Sequence, residues 1–307
     1  MPRRTKLRRF AAPFAGLLLL VCALAAASPA AAQPAQSDIL GTLGTHRTRA
    51  EDSLTELARQ LGLGYVELLA ANPHVDPWLP GEGTSLVLPT ARLLPPGPRR
   101  GIVINLAEMR LYVWPKDGPP ESVPIGIGTD DRETLTGETR VVRKQARPTW
   151  YPPPSVRAAK PELPASVPPG PDNPLGEYAL YLGWPRYVVH GTNLPYGVGR
   201  RVSAGCIRLY PEDIARLYPR VAVGTPVTVI DESIKLGWHE RHLYIEAHPN
   251  QRQADELEAT RRFTPEPVEG LETRILAIAG AAADRVDWDA VVLAILERRG
   301  IPVRVTR

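Results

Sequence analysis

Cysteine is nearly absent from this 307-residue chain, which holds only Cys22 and Cys206. A fold stapled by several disulfides is thereby excluded. Long apolar runs are also missing. The one candidate, from about Ala15 to Ala27, is shorter than the roughly 20 residues that a comfortable bilayer span requires. A surplus of positive charge disappears once the first 32 residues are set aside. The whole chain carries 37 basic and 33 acidic residues, but Arg3, Arg4, Lys6, Arg8 and Arg9 lie in that leader with no acid beside them. The remainder holds 32 basic against 33 acidic residues, so charge gives no argument for nucleic-acid binding.

What is present begins with that leader. A cationic start, a short apolar run and the small residues Ala30-Ala31-Ala32 read as a cleavable export signal over 1–32. An uncleaved anchor is the alternative. Cys22 leaves with the signal; Val21 before it is bulkier than the small residue a lipidated cysteine prefers. Cys206 is then a lone thiol bound for an oxidising compartment, where an unpaired thiol needs a reason. Catalysis is the leading one.

Hydrophobic residues make up 43% of the chain, enough for a packed core, and 34 prolines point to rigid irregular loops. Residues 33–40 read as a linker. Residues 41–90 read as a small βααβ module: Leu54, Leu57, Ala58 and Leu61 share one helical face behind Asp52 or Ser53 as cap. A second helix starts at Tyr65, and Ser85–Pro89 closes as a strand. Residues 99–232 read as mainly β, with short apolar β-branched runs and one helix from Pro211. Residues 233–307 read as an extension with helices near 268–283 and 287–299, the second capped by Asp287, and with no chemistry assigned.

The informative stretch runs from His190-Gly191-Thr192-Asn193 to Ser203-Ala204-Gly205-Cys206-Ile207-Arg208-Leu209. A thiol is mostly protonated at neutral pH, and a nearby imidazole that takes and returns its proton makes it a useful nucleophile. His190 ends a strand and Cys206 follows a glycine turn, so the two are expected on adjacent strands. The N–H groups of Gly205 and Cys206 are candidates for an oxyanion hole. With no acid close by, the Gly191 carbonyl is the candidate for orienting the imidazole.

His190-Gly-Thr-Asn followed by Ser203-x-Gly205-Cys206-Ile-Arg208-Leu resembles the L,D-transpeptidase catalytic family of YkuD type. The match continues through Gly137-Glu138-Thr139, Pro148–Pro153, Pro171–Gly176 and Gly183-Trp184. Residues 41–90 likewise resemble a LysM peptidoglycan-binding module. The resemblance implies a mainly β, L,D-transpeptidase-like β-sandwich in the periplasm. It implies Cys206 attack on the diaminopimelate–D-alanine bond of a peptidoglycan tetrapeptide and transfer to an amine, either a second stem or an envelope protein. His190 would be base and acid, Gly191 its orienter and Arg208 a carboxylate binder. Ser203, Tyr196, Asn193 and Trp150 are further substrate-binding candidates. No cofactor or metal is implied. Ala204 departs from the family, which has histidine there.

Three rivals stand beside this reading. One is a hydrolase using the same thioester with water as acceptor. Another is a non-catalytic wall-binding protein with a degenerate enzyme domain. The third is a metal enzyme built on His239-Glu240-Arg241-His242 and His248, although Leu243–Ala247 alternates like a strand.

Overall fold

Capping and periodicity build the N-terminal part much as expected. The computed structural model describes residues 37–307; the expected export signal lies outside the described residues. After a short strand β1 (Ile39–Leu40), β2 (Gly44–Arg47) leads into α1 (Leu54–Gln60). The Ser53 side chain caps α1 by accepting from the Glu56 N–H. A tight link at Gly62–Gly64 starts α2 (Tyr65–Ala71), and β3 (Ser85–Leu88) returns antiparallel to β2. Asn72 fixes the returning chain, its amide bridging Leu68, Val87 and the end of α2. Strand β4 (Arg92–Leu93) then pairs with β1.

The central part is mainly β. Its strands are β5 (Gly101–Asn105), β6 (Arg110–Trp114), β7 (Glu121–Pro124), β8 (Ile127–Gly128) and β9 (Gly137–Ala146). After α3 (Pro154–Ala159) come β10 (Tyr178–Leu182), β11 (Val188–His190), β12 (Arg201–Ser203) and β13 (Ile207–Arg208). Helix α4 (Pro211–Leu217) and β14 (Pro226–Ile230) complete it. Eight strands form one mixed sheet in the order β13-β11-β10-β9-β14-β5-β6-β7, and β8 pairs with β12 beside it. Ile102, Ile104, Val189, Ile207, Ile214 and Val229 are buried in a core that is continuous with Leu54, Leu57 and Leu68 of the module.

The extension holds more than the two expected helices. Besides α6 (Leu271–Ala279) and α7 (Trp288–Glu297), it contains strands β15 (Ile234–His239), β16 (His242–Ala247) and β17 (Val303–Arg304), with α5 (Gln251–Thr260) between β16 and α6. The hairpin turns at Glu240-Arg241, both at positive φ (47° and 71°), as a two-residue turn matched to strand twist needs. Its pattern is masked because the strands bury charge: Lys235 and Glu246 are 1% and 0% exposed. Asp287 does cap α7, accepting from the Ala290 N–H.

Those buried charges join the parts. Lys235 Nζ lies 2.7 Å from Glu108 and 2.8 Å from Glu246, and donates to the Leu93 carbonyl. Burial works against the ammonium, but the two carboxylates outweigh it and hold its pKa well above the ordinary lysine value. A second buried cluster joins Glu67 of α2 to Arg92 and Arg110 at 3.1 and 2.6 Å.

Candidate active site

The site is positioned by one parallel strand pair. Strands β11 and β13 are neighbours, with Val189 opposite Ile207 and His190 opposite Arg208. Side chains alternate along a strand, so His190 and Arg208 share a sheet face, and Cys206 stands immediately before β13. Adjacent strands lie about 4.8 Å apart, so the end of β11 that carries His190 neighbours the start of β13 that Cys206 precedes.

His190 is 3% exposed, and its Nδ1 lies 2.5 Å from the Gly191 carbonyl oxygen. A carbonyl only accepts, so Nδ1 carries the hydrogen and Nε2 keeps its lone pair. Burial, with the Arg208 charge adding to it, lowers the imidazole pKa to about 3; the Gly191 bond opposes this weakly. The ring is therefore neutral, with the lone pair of Nε2 free to accept a proton. Half-buried Cys206 points its Sγ–H at the Arg186 carbonyl, 3.4 Å away. Burial pushes its thiol pKa up, against a smaller opposing pull from a Val188 backbone hydrogen bond and Arg208. The resting pair is thus thiol and imidazole, not an ion pair.

The turn before Cys206 corrects two expectations. Gly205 has φ of +97°, and a Cβ there would stand 3.1 Å from the Glu133 carbonyl oxygen, so only glycine fits. Its N–H donates to Ser203 Oγ at 3.1 Å, and the Ser203 hydroxyl donates to the Cys206 carbonyl at 2.6 Å. Gly205 N–H is therefore not an open oxyanion donor. Ser203, buried and with both hydrogen-bonding functions used inside the turn, shapes the loop instead of touching substrate. Cys206 N–H makes no hydrogen bond among the described residues. Ala204 is exposed, so the side chain that departs from the family pattern points away from the core.

Arg208 is the unusual charge. Its guanidinium makes no ion pair among the described residues, and its Nε is buried without a hydrogen-bond partner. Burial lowers its pKa. A half-buried cation with no partner is costly, and an incoming carboxylate would offset that cost. Gly197 lies beside it, a Cβ there falling 3.7 Å from one guanidinium nitrogen. Exposed Tyr196 sits in that same short turn. Asn193 donates to the Asp172 carbonyl at 3.2 Å, linking the histidine loop to the proline-rich segment. Trp150 is half-buried and bridges to Val167 within that segment. Asn173 holds the segment, its amide facing the carbonyls of Pro148, Val167 and Pro168.

Both flanking parts grip the loop between His190 and Cys206. Val66 N–H of α2 donates to the Gly199 carbonyl at 3.1 Å, and a Cβ on Gly199 would fall 2.2 Å from the Tyr65 nitrogen. From α5, Glu258 pairs with Arg200, whose guanidinium also stacks 3.7 Å over Tyr65. Arg201 is bound by Asp255 of α5 and by Asp130. The extension thus acquires a structural role that its sequence did not disclose.

The metal reading is not favoured by the geometry. His239 and His242 face each other across the hairpin, whereas His248 turns inward to Glu246 at 2.6 Å. The ligand atoms of Glu108, Glu246 and His248 lie within 4.8 Å of one another. Lys235 already supplies the cation there.

A buried neutral imidazole, a nearby glycine turn ending in a thiol, and a guanidinium without an ion pair among the described residues are the groups that the comparisons with known proteins bear on. The L,D-transpeptidase catalytic domain (YkuD) matches residues 99–229. The chain is 42% identical over 273 residues to the probable L,D-transpeptidase ErfK/SrfK of Escherichia coli strain K12, covering 86% of this chain and 85% of that protein. It is also 42% identical over 261 residues to the probable L,D-transpeptidase YbiS of the same strain, at 82% and 83% coverage. Among solved structures, L,D-transpeptidase 3 of Mycobacterium tuberculosis is similar at a TM-score of 0.35 and 21% identity, over 50% of this chain and 73% of that one. The chain belongs to the L,D-transpeptidase family.

Proposed function

We propose that Cys206 is the nucleophile of a peptidoglycan L,D-transpeptidase and His190 its base. The reading rests above all on the tautomer of His190, which the Gly191 carbonyl holds with a bare Nε2, on the strand that neighbours the one Cys206 leads into. As the Cys206 Sγ–C bond forms at the diaminopimelate carbonyl, the thiol proton passes to His190 Nε2. The carbonyl oxygen takes the π pair and faces the Cys206 N–H. Collapse breaks the C–N bond, and His190 returns its proton to the departing D-alanine amine. A thioester remains. An amine acceptor then attacks it and gives its proton to His190; as the C–S bond breaks, His190 passes that proton to the Cys206 sulfur. Through both halves Gly191 keeps the ring oriented, and Arg208 holds a substrate carboxylate.

The acceptor is a second stem peptide, giving a 3→3 crosslink, or an amine of an envelope protein. The site of action is the periplasm, reached through the export signal over 1–32. The βααβ part, 41–90, serves as a LysM-like glycan contact, and 99–232 is the catalytic domain. Tyr196, which is exposed, and half-buried Asn193 and Trp150 are proposed to line the approach to the thiol.

Incubation of the mature chain with purified disaccharide-tetrapeptide, followed by mass spectrometry, tests this. A dimer that has lost one D-alanine supports transpeptidation. Tripeptide alone assigns water as acceptor and makes the protein a hydrolase. No Cys206-dependent product, with or without an envelope-protein acceptor, would overturn the enzymatic reading in favour of a wall-binding protein.

A further inference from the structure

Thr134 lies far from the thiol in sequence and is 6% exposed. Its hydroxyl accepts from the Gly128 N–H at 3.0 Å and donates to the Gly205 carbonyl at 3.0 Å. We propose that Thr134 is a positioning residue that aims the Cys206 N–H at the reacting carbonyl oxygen. This inference rests on the transpeptidase reading above.

The reasoning is geometric. The Gly205–Cys206 peptide is planar, so in its trans form the Gly205 C=O and the Cys206 N–H point in opposite directions. Fixing one fixes the other. The clamp matters because glycine at φ of +97° has little steric preference of its own, and its peptide would otherwise turn over at small cost. Ser203 holds the two flanking groups, Gly205 N–H and Cys206 C=O. Thr134 holds the remaining carbonyl. The bond from Gly128 polarises the Thr134 hydroxyl and strengthens its donation to Gly205, since linked hydrogen bonds reinforce one another. Withdrawal of electron density at the Gly205 oxygen makes the Cys206 N–H a better donor in turn.

The short helical turn Asp130–Arg132, just before Thr134, is held to the catalytic loop through the Asp130–Arg201 pair. Tyr187 donates to the Glu133 carbonyl at 3.2 Å. Thr134 is therefore on a braced support.

The test separates an oriented amide from a merely intact turn. Alkylation of Cys206 by iodoacetamide develops no oxyanion, whereas acyl transfer from the tetrapeptide does. Thr134→Val keeps the shape and removes the hydroxyl. Its kcat should fall about tenfold to a hundredfold, below or near the effect of losing one oxyanion donor outright, with KM within about twofold and the alkylation rate unchanged. Thr134→Ser should restore kcat to within a few-fold. Should Thr134→Val fold poorly, Thr134→Ala read as the ratio of acyl transfer to alkylation gives the same comparison. An unchanged kcat in the folded variant, or alkylation falling in parallel with acyl transfer, would overturn the positioning role. Absence of turnover by the wild-type chain would instead count against the transpeptidase reading.

Discussion

His190 and Arg208 stand opposite each other in register on parallel strands, a cation facing a base. That juxtaposition keeps the imidazole unprotonated, since the Arg208 charge adds to burial in disfavouring a second cation. The Arg208 guanidinium pairs with no carboxylate among the described residues, and we propose that it is open to an anionic substrate.

The first prediction concerns pH. With His190 lowered to about 3, kcat/KM should show no imidazole inflection near the ordinary value of about 6.5. Arg208→Gln removes the second cause of the lowering and should move the acid limb upward. The stability consequence has a definite sign. The unfolded chain takes up a proton at His190 below about pH 6.5 while the native state refuses it down to about 3. Native stability therefore falls as pH drops through that window, by up to about 1.4 kcal/mol per pH unit. Urea midpoints measured from pH 7 to 4 should fall less steeply for His190→Gln than for the wild type.

The second prediction concerns Arg208 as a carboxylate binder. Arg208→Lys keeps a charge but loses the planar fork, and should raise KM for the tetrapeptide about tenfold, with a larger rise for Arg208→Gln. A substrate lacking the paired carboxylate should erase the difference between variants. Equal KM values with the complete tetrapeptide would remove Arg208 from binding.

The third prediction concerns the extension. Lys235→Met leaves Glu108 and Glu246 buried without their cation, and should destabilise the protein by about 3–5 kcal/mol. The thermal midpoint reports this. Asp255→Ala should instead loosen Arg201 and lower kcat several-fold with little loss of stability, because Asp255 is half-exposed while Arg201 is buried. An Asp255→Ala enzyme with unchanged kcat would mean that the loop holds itself.

Much of this was legible because local chemistry and tertiary need coincide. Ser53 caps α1, Pro211 opens α4, and β5 and β14 announce themselves through β-branched runs. The His190–Cys206 pair stood out because the other cysteine, Cys22, falls in the expected export signal. Strand β9 was not visible: it is ten residues long and central, yet Val141 is its one buried side chain, so no apolar alternation marks it. In the extension only Leu243–Ala247 was legible as a strand; its partner β15 was obscured for the opposite reason, since Lys235 occupies a core position that pattern reading expects to be apolar. Ser203 and Thr134 act through backbone groups, and spacing alone does not disclose which hydroxyl meets which carbonyl.

The account turns on a thioester at one sulfur. The mature chain and its Cys206→Ala counterpart are mixed with disaccharide-tetrapeptide, quenched within the first turnover and weighed intact, while released D-alanine is counted. The account predicts an acyl adduct on Cys206 that appears together with one equivalent of D-alanine and decays when an amine acceptor is added, and neither adduct nor D-alanine from Cys206→Ala. Release of D-alanine by Cys206→Ala at the wild-type rate would contradict it.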